Sequence, residues 1–172
     1  MAPRIKLGMV GGGNDALIGG VHRIASRIDD YFELVAGALS STPEKSRASG
    51  EVLGLPRIYG DFKQMAIREA RRKDGIEAVA IVTPNHMHYP AAREFLKRGI
   101  HFICDKPLTS TLPDAKKLVK AAEAAAAIRA KLSGKATSQD VDFPTVHDGQ
   151  KGVRFVDACV RSSRSKGAWV HV

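Results

Sequence analysis

The chain has 172 residues, 44% of them hydrophobic and 26% charged, which suits one globular domain with a sizeable core and a small appendage. Its net charge of +9 is spread over short stretches (Arg71-Arg72-Lys73, Lys97-Arg98, Lys116-Lys117, Arg161, Arg164) with no aromatic residues between them, which argues against a nucleic-acid groove and for a solvated basic surface that attracts a small anion. No apolar run approaches the ~20 residues of a membrane span, the start at Met1-Ala2-Pro3-Arg4-Ile5 lacks a signal-peptide pattern, and Cys104 and Cys159 give neither a disulfide framework nor metal-ligand spacing. The expectation is a cytoplasmic protein with no metal, membrane or nucleic-acid partner.

The first element is an apolar run, Ile5-Lys6-Leu7-Gly8-Met9-Val10, that enters Gly11-Gly12-Gly13 and is followed by an amphipathic segment over residues 17–28. A buried strand, a glycine turn and a helix open a nucleotide-binding βαβ unit. The glycines let the backbone approach a pyrophosphate, and the helix N-terminus presents free N–H groups. Gly11 and Gly13 match the first two glycines of the dinucleotide fingerprint, and Ala16 falls on the third position, where Gly or Ala is permitted; Gly19 is the alternative for close helix packing. Gly13 and Asn14 are the expected pyrophosphate contacts. A glycine turn also serves packing alone, so the later loops decide.

Residues 33–39 read as a second strand ending at Ser40-Ser41-Thr42, and residues 43–53 as a short helix. Arg57-Ile58-Tyr59 is a brief third strand. Asp61 and Gln64 have capping-box spacing for a helix that places Phe62, Met65, Ala66 and Ala70 on its core face and ends by Lys73-Asp74-Gly75. Ala78-Val79-Ala80-Ile81-Val82 reads as a strand buried on both faces. The polar loop Thr83-Pro84-Asn85-His86-Met87-His88 leads to a helix with Ala91, Ala92, Phe95 and Leu96 inside, stopped at Gly99. His101-Phe102-Ile103-Cys104 is the fifth strand, and Thr111 with Asp114 opens a helix burying Ala115, Leu118, Val119 and Ala122. From Ala124 the pattern changes: residues 133–138 lack periodicity and residues 142–149 read as a turn. A last helix spans about 150–163, with Val153, Val156 and Val160 inward and Phe155 and Cys159 beside them, before a strand or tail at 168–172.

Strand and helix alternate with crossovers of ten residues or more. The fold class is therefore α/β, a Rossmann-like doubly wound parallel sheet with an appended C-terminal helix. Its loops at residues 11–16, 40–42, 83–88 and 105–107 gather at the C-terminal edge of the sheet, where such folds bind ligands.

At Thr83-Pro84-Asn85-His86-Met87-His88 and Asp105-Lys106-Pro107 the sequence resembles the N-terminal half of the Gfo/Idh/MocA oxidoreductases, the family of glucose–fructose oxidoreductase and inositol dehydrogenase. The family has a glycine turn after its first strand, Thr-Pro-x-x-x-His after the fourth and Glu-Lys-Pro after the fifth. The resemblance covers roughly residues 4–125 and resumes from Phe143-Pro144-Thr145 to Trp169, like the family's C-terminal helix and tail. The family's large substrate domain has no counterpart between these parts. The implied division is an NAD(P)-binding domain at 1–125 and a linker with C-terminal helix and tail at 126–172.

The resemblance implies that Thr83, Pro84, Asn85 and His88 line the nicotinamide side. Lys106 is the catalytic candidate, flanked by Asp105 and Pro107 at the cofactor, with Pro107 a candidate cis residue. Asp at 105 departs from the family's Glu. At the end of the second strand, Ser40 and Ser41 stand where an NAD site carries an acid, with Lys45 and Arg47 behind, a set that leaves NAD and NADP both open and favours NADP. The implied parent reaction is hydride transfer to or from a secondary alcohol of a sugar or cyclitol. The chain is expected to bind the dinucleotide with little turnover, taking a small polyol or sugar only if a substrate domain is supplied. The alternatives are a non-enzymatic remnant that forms a homo-oligomer and, less well supported, an S-adenosylmethionine methyltransferase.

Overall fold

The computed structural model describes residues 3–133 and 145–172. Its elements are β1 (Ile5–Gly11), α1 (Leu17–Ile28), β2 (Phe32–Ala38), α2 (Pro43–Val52), β3 (Arg57–Ile58), α3 (Phe62–Glu69), β4 (Ala78–Val82), a 3-10 turn (Asn85–Met87), α4 (His88–Leu96), β5 (His101–Cys104), α5 (Leu112–Ser133) and α6 (Val146–Arg164). All strand pairings are parallel, in the order β3-β2-β1-β4-β5. This is the doubly wound order the alternation predicts.

β4 is buried at every residue, as a continuous apolar run at the centre of a parallel sheet must be. Strand alternation sends Val10, Val79 and Ile81 into a core with Met65, Phe95 and Leu118. Leu7, Met9, Ala80 and Val82 enter a smaller core on the other face. β5 lies at the edge and alternates between exposed and half-buried. Cys104 is therefore half-buried, and that burial, with Asp105 next to it, pushes its thiol up to about 12, which suits packing and not nucleophilic chemistry.

Several expectations need correction. α3 ends at Glu69, and Glu69 faces the core while Ala70 is exposed. α5 runs through residues 124–127 without interruption. Thr145 caps α6 with a complete capping box to Asp148, so residues 146–149 form its first turn. The earlier part of that expected turn and the stretch 134–138 lie outside the described residues. α6 buries Val153 and Ala158, whereas Phe155, Val156, Cys159 and Val160 are exposed. Residues 168–172 join no sheet; the His171 carbonyl accepts from Arg161 Nη2 at 2.7 Å.

Glu69 turns inward because it closes a polar network. Its Oε1 accepts from Arg57 Nε at 2.7 Å and from the Tyr59 hydroxyl at 2.6 Å, and its Oε2 from Arg57 Nη2 at 3.0 Å and the Ile76 N–H at 3.1 Å. The network joins β3 to the turn that leads into β4. Burial first, and the bond to Glu69 second, raise the Tyr59 hydroxyl to about 12, so it stays a donor. Glu69→Ala would strand these donors and is expected to cost roughly 3–5 kcal/mol. Urea unfolding followed by circular dichroism checks this; a midpoint equal to the parent's would contradict it.

Candidate functional site

Gly11 on β1 pairs with Val82 on β4 where the strand order reverses. A cleft of about 660 Å³ opens beside this pair, within the range of small-molecule sites. One wall is the glycine turn. Gly11 and Gly12 sit at φ +76° and +70°, which glycine adopts at little cost. The turn brings Gly12 against Gly19 of α1, where a Cβ on Gly19 would stand 2.5 Å from the Gly12 Cα. Gly19, not Ala16, is therefore the close-packing residue. Ala16 instead occupies the N-cap of α1, with no side-chain cap bond and no acidic residue in the first turn. The uncapped amides and the helix dipole suit an anion.

The opposite wall is the loop after β4, contributing Thr83, Pro84, His86 and Met87; the far end is formed by Leu39, Ser40, Ser41, Lys45, Ser49, Asp61 and Phe62. Thr83 Oγ1 is the only buried side-chain polar atom among the described residues with no hydrogen-bond partner. An unpaired buried hydroxyl costs ~1–3 kcal/mol, which a polar ligand atom would offset.

Of the residues expected at the cofactor, Gly11, Gly13, Asn14, Ala16, Ser40, Ser41, Thr83 and Pro84 line this cleft. Several of them are already engaged within the protein: the Ala16 N–H donates to the Gly13 carbonyl at 2.9 Å. The Gly13 N–H donates to the Leu39 carbonyl at 3.1 Å, and the Asn14 N–H to Ser49 Oγ at 3.2 Å. The Ser40 hydroxyl accepts weakly from the Thr42 N–H at 3.4 Å. Asn85, His88, Asp105, Lys106 and Pro107 do not line it. His88 is 1% exposed, with Nδ1 2.8 Å from the Pro107 carbonyl oxygen and Nε2 2.9 Å from that of Thr83. The buried ring sits between the two loops: the nitrogen that carries the proton donates to one carbonyl, and both bonds form together only when both nitrogens are protonated. The Lys106–Pro107 bond is cis, and Lys106 is exposed.

Sequence reasoning gave no role to His22 or Ser49. His22 Nε2 lies 3.2 Å from Asp105 Oδ1, which supplies the contact left open by Asp at this position. Arg23 Nη1 donates to the Gly12 carbonyl at 2.6 Å. Neither side chain follows from helix periodicity; both depend on how α1 crosses the sheet. A second groove of about 510 Å³ lies at the β3 edge between Arg68, Arg71 and Arg72, with none of the glycine-turn residues in it. Among the described residues there is no cluster of potential metal ligands and no helix long and apolar enough to cross a membrane.

The geometry has a counterpart in known proteins. The family description "Oxidoreductase family, NAD-binding Rossmann fold" (Gfo/Idh/MocA) matches residues 5–130. The chain belongs to the Gfo/Idh/MocA oxidoreductase family. An uncharacterised oxidoreductase of Bacillus subtilis is 39% identical over 122 residues, covering 69% of this chain and 31% of that protein. The crystal structure of an oxidoreductase from Sinorhizobium meliloti is 76% identical, with a TM-score of 0.68 over 70% of this chain and 34% of the other. An inositol dehydrogenase homologue from Azotobacter vinelandii, solved with NADH and myo-inositol, is 43% identical, with a TM-score of 0.70 over 73% of this chain and 34% of the other. The chain thus spans about a third of the length of these family members.

The Gly12–Gly19 contact makes a sharp test of the site. Gly19→Ala forces the turn and α1 apart, at a cost typical of overpacking, ~1–3 kcal/mol. NADH affinity, read by nicotinamide fluorescence beside a thermal melt, is expected to fall at least about tenfold. An unchanged affinity would show that the glycine turn is not the binding wall.

Proposed function

We propose that this chain binds a nicotinamide dinucleotide in the cleft between the glycine turn and the loop after β4, with a preference for the 2′-phosphorylated form. The observation that carries the reading is the orphaned Thr83 Oγ1 in a wall opposite an uncapped helix N-terminus. The residues present fit such a group: the α1 amides would hold the pyrophosphate, Thr83 and Pro84 the nicotinamide half, and Ser40, Ser41 and Lys45 the adenosine ribose. When bound, the cofactor supplies a hydride donor or acceptor.

The phosphorylated form is favoured by charge at the far end. No acidic side chain follows β2 in residues 39–43, and the exposed Lys45 ammonium attracts a 2′-phosphate; Asp61, the acid at the same end, is engaged in capping α3 through the Gln64 N–H. The whole protein's reaction, on this reading, moves hydride at a secondary alcohol of a sugar or cyclitol. Lys106, exposed at the C-terminal edge of the sheet, is suited to donate to the reacting oxygen and stabilise its developing charge. We assign residues 1–125 to the cofactor domain and residues 126–172, which begin in the last turns of α5, to a linker, C-terminal helix and tail. Cofactor binding with little turnover is the expectation for these 172 residues alone.

A second reading, a non-enzymatic module that self-associates, is favoured by apolar side chains left at the surface: Leu17, Val21, Ile24 and Ile28 along α1, and Phe155, Val156 and Val160 on α6. The two readings separate on titration. NADPH is expected to bind more tightly than NADH, and Lys45→Glu to weaken NADPH by about tenfold while changing NADH by less than about threefold. Equal losses for both cofactors would refute the phosphate preference, and no response to either up to millimolar concentration would favour the self-associating module.

A further inference from the structure

Lys106 is exposed and makes no ion pair among the described residues, yet both of its chain neighbours are fixed by histidines from different helices. On one side His22 of α1 holds the Asp105 carboxylate, Nε2 to Oδ1 at 3.2 Å, with the two side chains 22% and 27% exposed. On the other, His88 of α4 holds the Pro107 carbonyl at 2.8 Å. The Asp105 N–H adds a bond to the Ile81 carbonyl of β4 at 3.2 Å. The next residue of α1, Arg23, grips the Gly12 carbonyl. Adjacent residues of one helix therefore hold the glycine turn and the lysine loop at once.

We propose that His22 is a positioning residue for Lys106. The inference rests on the reading that the cleft takes a nicotinamide dinucleotide. His22 acts in two ways. It sets the distance between the lysine loop and the glycine turn, because α1 carries both contacts on consecutive residues. It also occupies the Asp105 carboxylate, which would otherwise be free to draw in the neighbouring Lys106 ammonium and pull it from the site. A ring with its proton on Nε2 makes the bond, so no charge on His22 is required. The contact is partly shielded from water, which gives it more weight than a fully exposed pair.

The test uses the chain with its lysines reductively methylated with 13C, a change that keeps their charge. The Lys106 signal is assigned by its loss in Lys106→Arg, and NADH is the titrant. In the parent protein NADH binding is expected to shift the Lys106 signal. In His22→Leu the NADH dissociation constant is expected to stay within about threefold of the parent, while the Lys106 signal no longer responds. His22→Gln, which returns an N–H donor at similar reach, is expected to restore the response. A merely structural role for His22 would alter the thermal midpoint and NADH affinity together without separating the Lys106 signal from them. The proposal is overturned if His22→Leu leaves the Lys106 response unchanged, or if NADH binds the parent without moving that signal. A parent protein that binds no NADH at all is a different result and overturns the cofactor reading itself.

Discussion

The contact between the Gly12 and Gly19 backbones is the constraint on which the site depends. It exists because both residues lack a Cβ and because Gly11 and Gly12 adopt positive φ, which turns the chain sharply at the end of β1. The contact seats α1 directly on the turn. From that seat Arg23 reaches the Gly12 carbonyl and His22 reaches Asp105, so the turn, the helix and the lysine loop form one connected piece. His88 joins the same lysine loop to Thr83 on the opposite wall. The cleft is framed by a ring of short-range contacts, each of which involves at least one side chain or amide that helix and strand periodicity leave unassigned.

This explains what was legible in the sequence. The bounds of β4 and β5, and the apolar face of α4, follow from hydrophobic runs and glycine stops, and the structure reproduces them at Ala78–Val82, His101–Cys104 and Ala91, Ala92, Phe95 and Leu96. Ala70 is exposed and Glu69 is buried instead, because a carboxylate with four donors is more stable inside than periodicity alone implies. α6 starts at Val146, earlier than the periodicity from about residue 150 indicates, because Thr145 and Asp148 act as a cap across residues that otherwise read as a turn. At the site, the loops that gather at the sheet edge were legible, but the partners of His22, His88 and Ser49 were not. Those partners are far away in sequence and are set by the crossing of whole elements.

The surface carries information of a different kind. α1 presents Leu17, Val21, Ile24 and Ile28 at helical spacing to solvent, and α6 does the same with Phe155, Val156 and Val160. An apolar stripe of this length on a helix is ordinarily covered. The chain spans about a third of the length of its family members. The cleft is a separate matter, because its walls come entirely from residues 10–87.

The most direct test of the central claim is a 15N–1H correlation spectrum of the chain titrated with NADH. The account predicts that amide signals from residues 11–16 and residues 83–87 move together with a single affinity, because both walls touch one ligand. Unmoved signals in those two segments, with shifts confined to the arginine groove at residues 56–59 and 68–72, would contradict it.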